Sequence, residues 1–302
     1  MATVYQLDPV NSPEGRELFT QAGVTFDRPM WEAPFDGLMP GRLSLDHPTA
    51  PTSALLARTY DFFLAGEASP DIIAMLEDAP EASGIYEWFY GFVPLTVSWR
   101  QALPAAFPSL VQEDRRAFRL GDAGLREALR WESRVPAGVR VVPVDAALAR
   151  QADEEIPEVI EIIWAGYDQF ARSGWGYAAL DAGNHMLSIA YATGLTAREV
   201  NLGVGTAAHA QRRGLAKLVC QACIARAAGE GLEVTWDCDA VNVASGRLAE
   251  SLGFIEEAPF VEFGFPAPES GWPSRITPLP SGRRWVSSAE VDGVTRWSRI
   301  DE

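Results

Sequence analysis

The sequence has few cysteines and histidines and no long apolar run. Three cysteines and three histidines form no catalytic triad or metal-ligand constellation, and an odd number of cysteines fits a reducing compartment better than a disulfide framework. No stretch approaches the roughly 18–20 apolar residues that a membrane helix needs. Residues Met1–Asp8 also lack the basic-then-apolar pattern of a secretion signal. These absences predict a cytoplasmic protein that does not enter a membrane.

One pair of cysteines comes close to a metal-ligand spacing. Cys220 and Cys223 lie one turn apart within a predicted helix, but no second Cys/His pair is near them in the sequence. Zinc sites need four ligands, or three and a water. We therefore interpret the pair as two packed thiols, since free cysteine behaves as a small hydrophobic residue, and we predict no metal.

Basic residues are also in deficit. The chain carries 25 Lys and Arg against 41 Asp and Glu, a formal net charge of -16. A surface this acidic repels phosphate backbones, which disfavours nucleic acid as a partner. It attracts cations, including the ammonium form of an amine, although acidity is also a common solubility feature. Charge therefore favours an amine ligand without establishing one.

The length of 302 residues and the 47% hydrophobic content predict two domains with buried cores. A boundary is expected between Arg130 and Gly138, where Val135-Pro136-Ala137-Gly138 interrupts a charged helix. No repeat of 20–50 residues is evident. The other predicted elements follow from hydrophobic spacing and turn residues. They are a helix over Asp71–Glu77, a β-rich aromatic segment over Gly84–Trp99, a strand over Val139–Val144, helices over Ala146–Arg150 and Pro157–Tyr167, a hairpin over Gly174–Leu180 and Met186–Thr193, a strand over Phe260–Phe265, and a hairpin over Arg284–Ser288 and Val294–Ile300.

The stretch from Glu199 to Phe254 carries the most information. The apolar run Val200–Thr206 predicts a strand, and the turn Gln211–Ala216 leads into a helical pattern that reaches Ala228. A second apolar run, Leu232–Cys238, predicts another strand, with a further helix after it. The free amides and the dipole at a helix N-terminus both favour an anion. We interpret the turn as a pyrophosphate-binding loop.

The residues of this loop resemble a family signature. Gln211-Arg212-Arg213-Gly214-Leu215-Ala216 fits Q/R-x-x-G-x-G/A, and the sequence is similar to the GCN5-related N-acetyltransferases, the GNAT superfamily, which hold the pyrophosphate of acetyl-CoA on that loop. The resemblance covers about residues 170–254 and extends to a subgroup that includes zwittermicin-resistance-type acetyltransferases. The flanking residues that match are Trp236-Asp237-Cys238, Asn242, Ser245, Leu248 and Leu252-Gly253-Phe254.

The resemblance implies an α/β (α+β) GNAT fold, with a mixed, mostly antiparallel sheet, flanking helices and two parallel strands that splay apart. We predict an N-terminal α+β accessory domain over 1–135, the acetyltransferase domain over 136–265 and a C-terminal β-hairpin extension over 266–302. The accessory domain is either a structural or substrate-shaping domain or a degenerate copy of the same fold. The tail either covers part of the acetyltransferase domain or makes a homodimer contact.

The resemblance also implies where the cofactor lies. Pantetheine occupies the gap between the splayed strands, and Gly203 and Gly205 fit a close backbone approach there; the alternative is that these glycines pack under a helix. Asn242 is expected to cap the following helix as well as contact the cofactor. The implied acetyl-CoA contacts are Leu202, Val204, Thr206, Gln211, Arg212, Arg213, Gly214, Leu215, Ala216, Asn242 and Ser245.

Attack by a neutral amine needs a polarised carbonyl, which the backbone N–H near Val204 would supply. Glu199 is the candidate general base because many relatives carry an acidic group near the start of this strand. Its register is one or two residues off, and a solvated strand-end charge is the alternative. Other polar residues are also expected near the cleft, namely Asn201, Asp237 and Asp239.

The candidate general acid departs from the family pattern. Ala249 stands where many relatives carry a tyrosine near the CoA sulfur. Cys238 is the candidate replacement, with a small buried residue as the structural alternative. A thiol with a pKa near 8.5 is also a tolerable leaving group without an acid.

The leading prediction is an acetyl-CoA-dependent N-acetyltransferase that acts on a small-molecule amine by direct attack in a ternary complex. Two alternatives stay open. One is a non-catalytic acetyl-CoA-binding sensor or regulatory module, suggested by Ala249 in the tyrosine position. The other is acetylation of a protein amine, with the accessory domain shaping a peptide groove.

Overall fold

The computed structural model describes residues 2–24, 26, 28–58, 61–78, 91–156, 158–264, 284–289 and 293–300. The chain divides into two compact units. The first comprises Met1–Thr25, Pro34–Asp114 and Val261–Glu302, and the second comprises Phe26–Ala33 and Arg115–Phe260. The domain boundaries predicted near residues 135 and 265 do not coincide with the limits of these two units. The predicted boundaries stay predictions.

The described residues contain ten α-helices and fifteen strands. The helices are α1 (Pro13–Gln21), α2 (Arg28–Glu32), α3 (Pro70–Asp78), α4 (Val97–Ala106), α5 (Asp122–Ala128), α6 (Ala146–Glu155), α7 (Ile160–Ile163), α8 (Tyr167–Ser173), α9 (Leu215–Gly229) and α10 (Val243–Leu252). The strands are β1 (Thr3–Leu7), β2 (Arg42–Leu45), β3 (Ser53–Ala57), β4 (Asp61–Gly66), β5 (Gly91–Pro94), β6 (Val111–Leu120), β7 (Arg140–Pro143), β8 (Gly176–Leu180), β9 (Met186–Leu195), β10 (Glu199–Thr206), β11 (Glu233–Asp239), β12 (Phe254–Glu256), β13 (Phe260–Gly264), β14 (Arg284–Ala289) and β15 (Thr295–Ile300).

The second unit is built on a sheet with the strand order β6-β11-β10-β9-β8-β7, and β12 also pairs with β6. All these pairs are antiparallel except β10 with β11, which is parallel. The predicted hairpin of β8 and β9 is confirmed. Asp181 stabilises its turn by accepting the amides of Gly183 and His185. The predicted fold class, a mixed and mostly antiparallel sheet with two parallel strands and flanking helices, is confirmed.

Helix α9 packs on β8, β9 and β10. Most of its side chains are buried, on all sides of the helix, as expected of a helix enclosed by other elements. On the opposite face of the sheet, Trp164 and Phe170 are fully buried and contact each other edge to face. The Trp164 indole donates to the Ala192 carbonyl, with 2.9 Å between N and O. The sheet is therefore covered on both faces.

The first unit repeats this order of elements. Its sheet runs β14-β15-β1-β2-β3-β4-β5-β13, and β4 and β5 are parallel with α3 between them. Its core includes Phe62, Phe92 and Trp99, and the Trp99 indole donates to the Ala65 carbonyl. Three antiparallel strands, a helix, a parallel strand and a helix thus occur in both units. The order favours the degenerate-copy interpretation of the N-terminal region.

In each unit, the strand that pairs with the second parallel strand comes from the other half of the sequence. In the first unit Phe92 of β5 pairs with Phe263 of β13. In the second unit β11 pairs with residues Arg115–Arg119 of β6. This reciprocal exchange involves partners far apart in sequence, so hydrophobic spacing could not predict it.

Two predicted elements are wrong. The helix expected over Pro157–Tyr167 is broken into α7 and α8, because Ala165 and Gly166 have positive φ values of 52° and 122°. Val97 and Trp99, expected in a β-rich segment, begin helix α4 instead. Residues 84–90 of that segment lie outside the described residues, as do residues 290–292 between the two strands of the predicted C-terminal hairpin. These two strands pair as predicted.

Candidate active site

Strands β10 and β11 form a fork. They pair at three consecutive positions, Glu199 with Glu233, Val200 with Val234 and Asn201 with Thr235. The pairing of β10 with β9 shows a register shift between Asn201 and Leu202, directly after the last of these positions. Such an irregularity locally increases the bend and twist of the paired strands, although β10 stays paired with β9 as far as Thr206. Beyond Asn201 the two parallel strands separate.

The backbone of β10 presents hydrogen-bonding groups to the open side of this fork. The Ala207 amide donates to the Leu187 carbonyl of β9 at 3.0 Å. Because bonded and non-bonded positions alternate in an antiparallel pair, Gly203 and Gly205 also face β9. Val204 and Thr206 then direct their amides away from β9, toward β11. Polar backbone groups facing a gap are available to a ligand that adds to the edge of a strand.

The loop that follows β10 ends at an uncapped helix N-terminus. Arg212 and Gly214 have φ values of 59° and 77°, and Gly214 occupies the N-cap position of α9 without any side-chain cap. A Cβ built on Gly214 would have no heavy atom within 4 Å, so the space in front of the helix is open. The first amides of α9 therefore have the arrangement that binds an anion.

A groove of about 640 Å³ lies against the loop and the diverging end of β10. Of the predicted cofactor residues, all but Leu202 and Arg213 line it; Leu202 is buried and Arg213 is exposed. The lining residues are Val204, Thr206, Ala210, Gln211, Arg212, Gly214, Leu215, Ala216, Lys217, Asn242, Ala244, Ser245, Leu248 and Ser251.

The first turn of α10 forms one wall of the groove. Asn242 caps this helix as predicted, because its Oδ1 accepts the Ser245 amide at 3.1 Å. The Ser245 hydroxyl in turn accepts the Trp236 indole N–H at 3.0 Å, which ties the helix to β11. Cys238 lies next on this face of β11, and burial raises the pKa of its thiol although the Ser245 hydroxyl acts against that shift. Its role as general acid stays a prediction.

Lys217 was missed by the sequence interpretation. It is the one lysine of the chain, it lines the groove in the first turn of α9, and its Nζ donates to the Ser251 carbonyl at 2.6 Å. An ammonium there adds positive charge beside the helix N-terminus, where the dipole also favours an anion. The sequence signal that could have identified Lys217 is that it is the one lysine in a chain whose other basic residues are arginines or histidines.

We expect Lys217→Met to weaken acetyl-CoA binding about tenfold, since one charge-assisted contact to phosphate contributes roughly 1.5 kcal/mol. Titration calorimetry at low salt measures this. Arg213→Met removes a neighbouring charge that does not line the groove and should leave affinity within about twofold. Equal losses in both variants would mean that only the general charge of the loop matters.

Glu199, the predicted base, lies at the closed end of the fork. It is 5% exposed, and its Oε1 is 3.5 Å from Nη1 of Arg119 and 4.0 Å from Nη1 of Arg28. Burial raises the pKa of this carboxyl, and the two arginines oppose that shift. Val204 is five positions further along the strand than Glu199, about 16 Å at the usual rise per residue. Glu199 as base stays a prediction, and transfer over that distance would need a relay.

A second carboxyl group was missed. Glu158 follows α6, and its Oε2 accepts the hydroxyl of Tyr191 on β9 at 2.8 Å. A Cβ placed on Gly205 would lie 2.0 Å from Oε1 of Glu158, so this carboxylate lies directly against β10. The predicted helix over residues 157–167 concealed it, because that pattern places Glu158 on a solvated helix face.

Polar side chains bridge β10 and β11 just past their last backbone pair. Asn201 Nδ2 donates to Oδ2 of Asp237 at 3.3 Å, and Asn201 Oδ1 accepts the Thr193 hydroxyl at 2.9 Å. Arg115 of β6 makes ion pairs with both Asp237 and Asp239. The structure thus brings the predicted polar residues together, as a bridged network beside the fork.

Cys220 and Cys223 are packed in the core. Cys220 and Cys223 are both fully buried, and burial raises the pKa of the Cys223 thiol to about 12. Within the described ranges, no group of three or more His, Cys, Asp or Glu residues is arranged to hold a metal ion. The same part of the chain contains no helix long and apolar enough to span a membrane.

The site therefore combines an open strand edge with a groove at an uncapped helix N-terminus, groups that suit an elongated, anionic ligand. Comparison with known proteins identifies the class: the chain belongs to the GNAT acetyltransferase family, whose model matches residues 17–263. It is therefore an acyl-CoA-dependent acyltransferase, which confirms the superfamily predicted from the loop and its flanking residues. Members of this family use acetyl-CoA as acyl donor.

Individual relatives support the same assignment. The chain is 27% identical over 226 residues to the uncharacterized N-acetyltransferase YdfB of Bacillus subtilis (strain 168), covering 72% of this chain and 83% of that protein. A GCN5-related N-acetyltransferase-like protein from Streptococcus suis 89/1591 matches with a TM-score of 0.66 and 21% identity, over 84% of this chain and 99% of that one. A tandem GNAT protein from the clavulanic acid biosynthesis pathway matches with a TM-score of 0.54 and 12% identity, over 86% and 97%. At these identities the two structures show the fold alone.

Proposed function

We propose that this protein transfers the acetyl group of acetyl-CoA to a primary amine of a small molecule, by direct attack in a ternary complex. The observation that carries the proposal is the fork of β10 and β11, open beyond Asn201 and continuous with the groove at the N-terminus of α9. An acyl carrier with a diphosphate and an amide-containing arm fits both parts.

The residues present fit acetyl-CoA. Its pyrophosphate would meet the amides of residues 214–216 and the Lys217 ammonium, while the pantetheine amides would add to β10 at Thr206, which leaves the Val204 amide for the thioester. When bound, the cofactor supplies an activated thioester. The Val204 amide, directed into the fork, would donate a hydrogen bond to the thioester oxygen and stabilise the negative charge that develops there.

Charge favours a small cationic acceptor over a nucleic acid. The net charge is -16, and the unassigned carboxylate of Glu158 lies beside β10 on the face that α9 does not cover. An amine that arrives as ammonium is attracted to such a site. The likeness to zwittermicin-resistance-type acetyltransferases points in the same direction, toward an amine-bearing antibiotic or a related metabolite.

The first test combines binding and turnover. Calorimetry with acetyl-CoA should show binding, and release of CoA thiol should follow on addition of some member of a panel of primary amines. The three cysteines are free and buried, so a thiol reagent reports CoA with little background from the folded protein. Tight binding without turnover on small amines or amine-bearing peptides would overturn the proposal.

That outcome would favour the second candidate, an acetyl-CoA-binding sensor. Ala249 is fully buried at the position where many relatives carry a tyrosine, so the usual proton donor to the sulfur is missing. Turnover restricted to peptides would instead favour acetylation of a protein amine. All of these assays use the same protein preparation, and only the acceptor that is added differs between them.

We expect one acetyl-CoA per chain, although both units share an order of elements. In the first unit, β4 and β5 pair at four consecutive positions, and the Leu95 amide continues the ladder to the Leu64 carbonyl. The N-terminus of α3 is capped by Ser69 and carries Asp71 in its first turn, which disfavours an anion. A calorimetric stoichiometry of two would contradict this expectation.

A further inference from the structure

The face of β10 opposite α9 carries a carboxylate and a phenol in contact. Gly203 and Gly205 leave the space for them: a Cβ at 203 would lie 3.3 Å from Cζ of Tyr191, and one at 205 would lie 2.0 Å from Oε1 of Glu158. Because a Cα–Cβ bond is about 1.5 Å long, this oxygen lies within about 3.5 Å of the Gly205 Cα. Any larger residue would displace the pair.

This pair is next to the proposed site of attack. Val204, whose amide is directed into the fork, directly precedes Gly205 in the chain. Helix α9 covers the other face of β9 and β10, where its Cys223 thiol contacts the Ala190 carbonyl. Because α9 closes one face of β10, the face that carries Glu158 is the one left for an acceptor at a thioester held in the fork, while α8 covers the part of that face around Tyr191.

We propose that Glu158 takes the proton from the acceptor amine and that Tyr191 is a positioning residue for its carboxylate. This role rests on the proposed acetyl transfer to an amine. The Tyr191 hydroxyl holds Oε2 at 2.8 Å, which leaves Oε1 directed at β10. Glu158 is intermediate in exposure, so it is not sealed in the core as Tyr191 is.

The proton inventory of the step balances. An ammonium gives one proton to the Glu158 carboxylate and becomes a neutral amine, whose lone pair forms the C–N bond at the thioester carbonyl carbon. The C–S bond breaks and its electron pair leaves on the CoA sulfur. The second proton lost by nitrogen ends on that thiolate, giving an amide and a CoA thiol, and Glu158 returns its proton to solvent.

The electrostatic environment suits a base. Burial raises the pKa of the Glu158 carboxyl, the Tyr191 hydrogen bond lowers it, and the charge of Asp153 on α6 raises it. Among the described residues, the groups that act on it are Tyr191 from β9 and Asp153 from α6. A carboxyl with a pKa above its ordinary value of about 4.3 accepts a proton more readily near neutral pH.

The test uses the full chain and the amine of the panel that gives the fastest turnover. Glu158→Gln keeps the size of the side chain and can still accept the Tyr191 hydroxyl, so the fold should persist. We expect kcat to fall about 10²- to 10⁴-fold, the usual range for loss of a general base. The KM for acetyl-CoA should change less than about threefold, because Glu158 is proposed to act on the amine and not to bind the cofactor.

The pH profile separates proton transfer from a structural role. In the wild-type protein, kcat/KM should rise with pH as the Glu158 carboxyl loses its proton. The pH midpoint of this rising limb belongs to the enzyme, so it should stay the same for acceptor amines whose ammonium groups have different pKa values. Glu158→Gln should lose this limb. Tyr191→Phe should shift it to higher pH, because the hydrogen bond that lowers the pKa of Glu158 is gone.

Two further variants serve as controls. Glu154→Gln removes an exposed carboxylate of α6 and should leave kcat and the profile unchanged. Glu199→Gln tests the other candidate base and should keep the limb. If Glu158→Gln retains kcat within about threefold, if it raises only the KM for the amine, or if Glu199→Gln alone loses the limb, the role of Glu158 is overturned. A wild-type protein that acetylates no amine would overturn the proposed function and this role together.

Discussion

Gly214→Asp is expected to lower the affinity for acetyl-CoA at least 100-fold. Gly214 precedes the first turn of α9, and the space in front of it is open. A carboxylate there would stand where the pyrophosphate is proposed to lie. Two unit charges about 5 Å apart repel by roughly 3 kcal/mol at an effective dielectric of 20, and a 100-fold loss corresponds to about 2.7 kcal/mol.

The control for this substitution is Gly138→Asp. Gly138 has a φ of 78° against 77° for Gly214, and neither has an atom within 4 Å of an added Cβ. The two variants therefore share the backbone strain and the charge change, and differ in distance from the groove. Calorimetry on both, with thermal unfolding to compare stability, measures the difference. Retained affinity in Gly214→Asp would place the pyrophosphate elsewhere.

The elements of the fork were predictable because each is determined by local pattern. An apolar run gives β10, which begins at Glu199 as expected. Gly214 marks the start of α9 and Asn242 the start of α10, each for a backbone reason that a sequence displays directly. The loop and the start of α9 share a groove through chain connectivity, and the order strand, helix, strand, helix brings the start of α10 to the same groove. This is why most of the cofactor residues named from sequence line it.

The residues that were missed depend on contacts between distant elements. Glu158 and Tyr191 are 33 positions apart, and their meeting depends on how α6 ends over the sheet. The sequence does show Gly203 and Gly205, which indicate that something approaches β10 closely. It does not show which side chain does so. Pairing of β6 with β11 joins residues more than a hundred positions apart, which no local pattern encodes.

The second large effect is expected from Arg115→Met, which should lower the free energy of unfolding by roughly 3 kcal/mol. Arg115 is 11% exposed and pairs with Asp237, 14% exposed, and with Asp239. Removing the cation leaves the Asp237 carboxylate, which has little access to water, beside that of Asp239, which is 34% exposed. Losing one partner of a buried pair typically costs about 3–5 kcal/mol, and the lower end applies because some exposure remains. Urea unfolding at neutral pH measures the change.

Arg116→Met is the matched control, one residue along the same strand. Arg116 also pairs with two carboxylates, Glu250 and Glu256, but both of those are well exposed. Exposed pairs contribute little, so this variant should be much closer to wild type. Similar losses from both substitutions would show that strand β6, and not the buried pairing, carries the effect.

Arg115 also affects function, because its partner Asp237 holds Asn201 at the point where β10 and β11 separate. In Arg115→Met the two aspartates repel each other, and the Asn201–Asp237 bridge loses its support. Acetyl-CoA affinity should therefore fall along with stability. Arg115→Met combined with Asp237→Asn removes the repulsion and keeps a hydrogen-bonding side chain opposite Asn201. The double variant should recover much of the stability and most of the binding, and failure to recover either would mean that the guanidinium itself, and not charge balance, positions the fork.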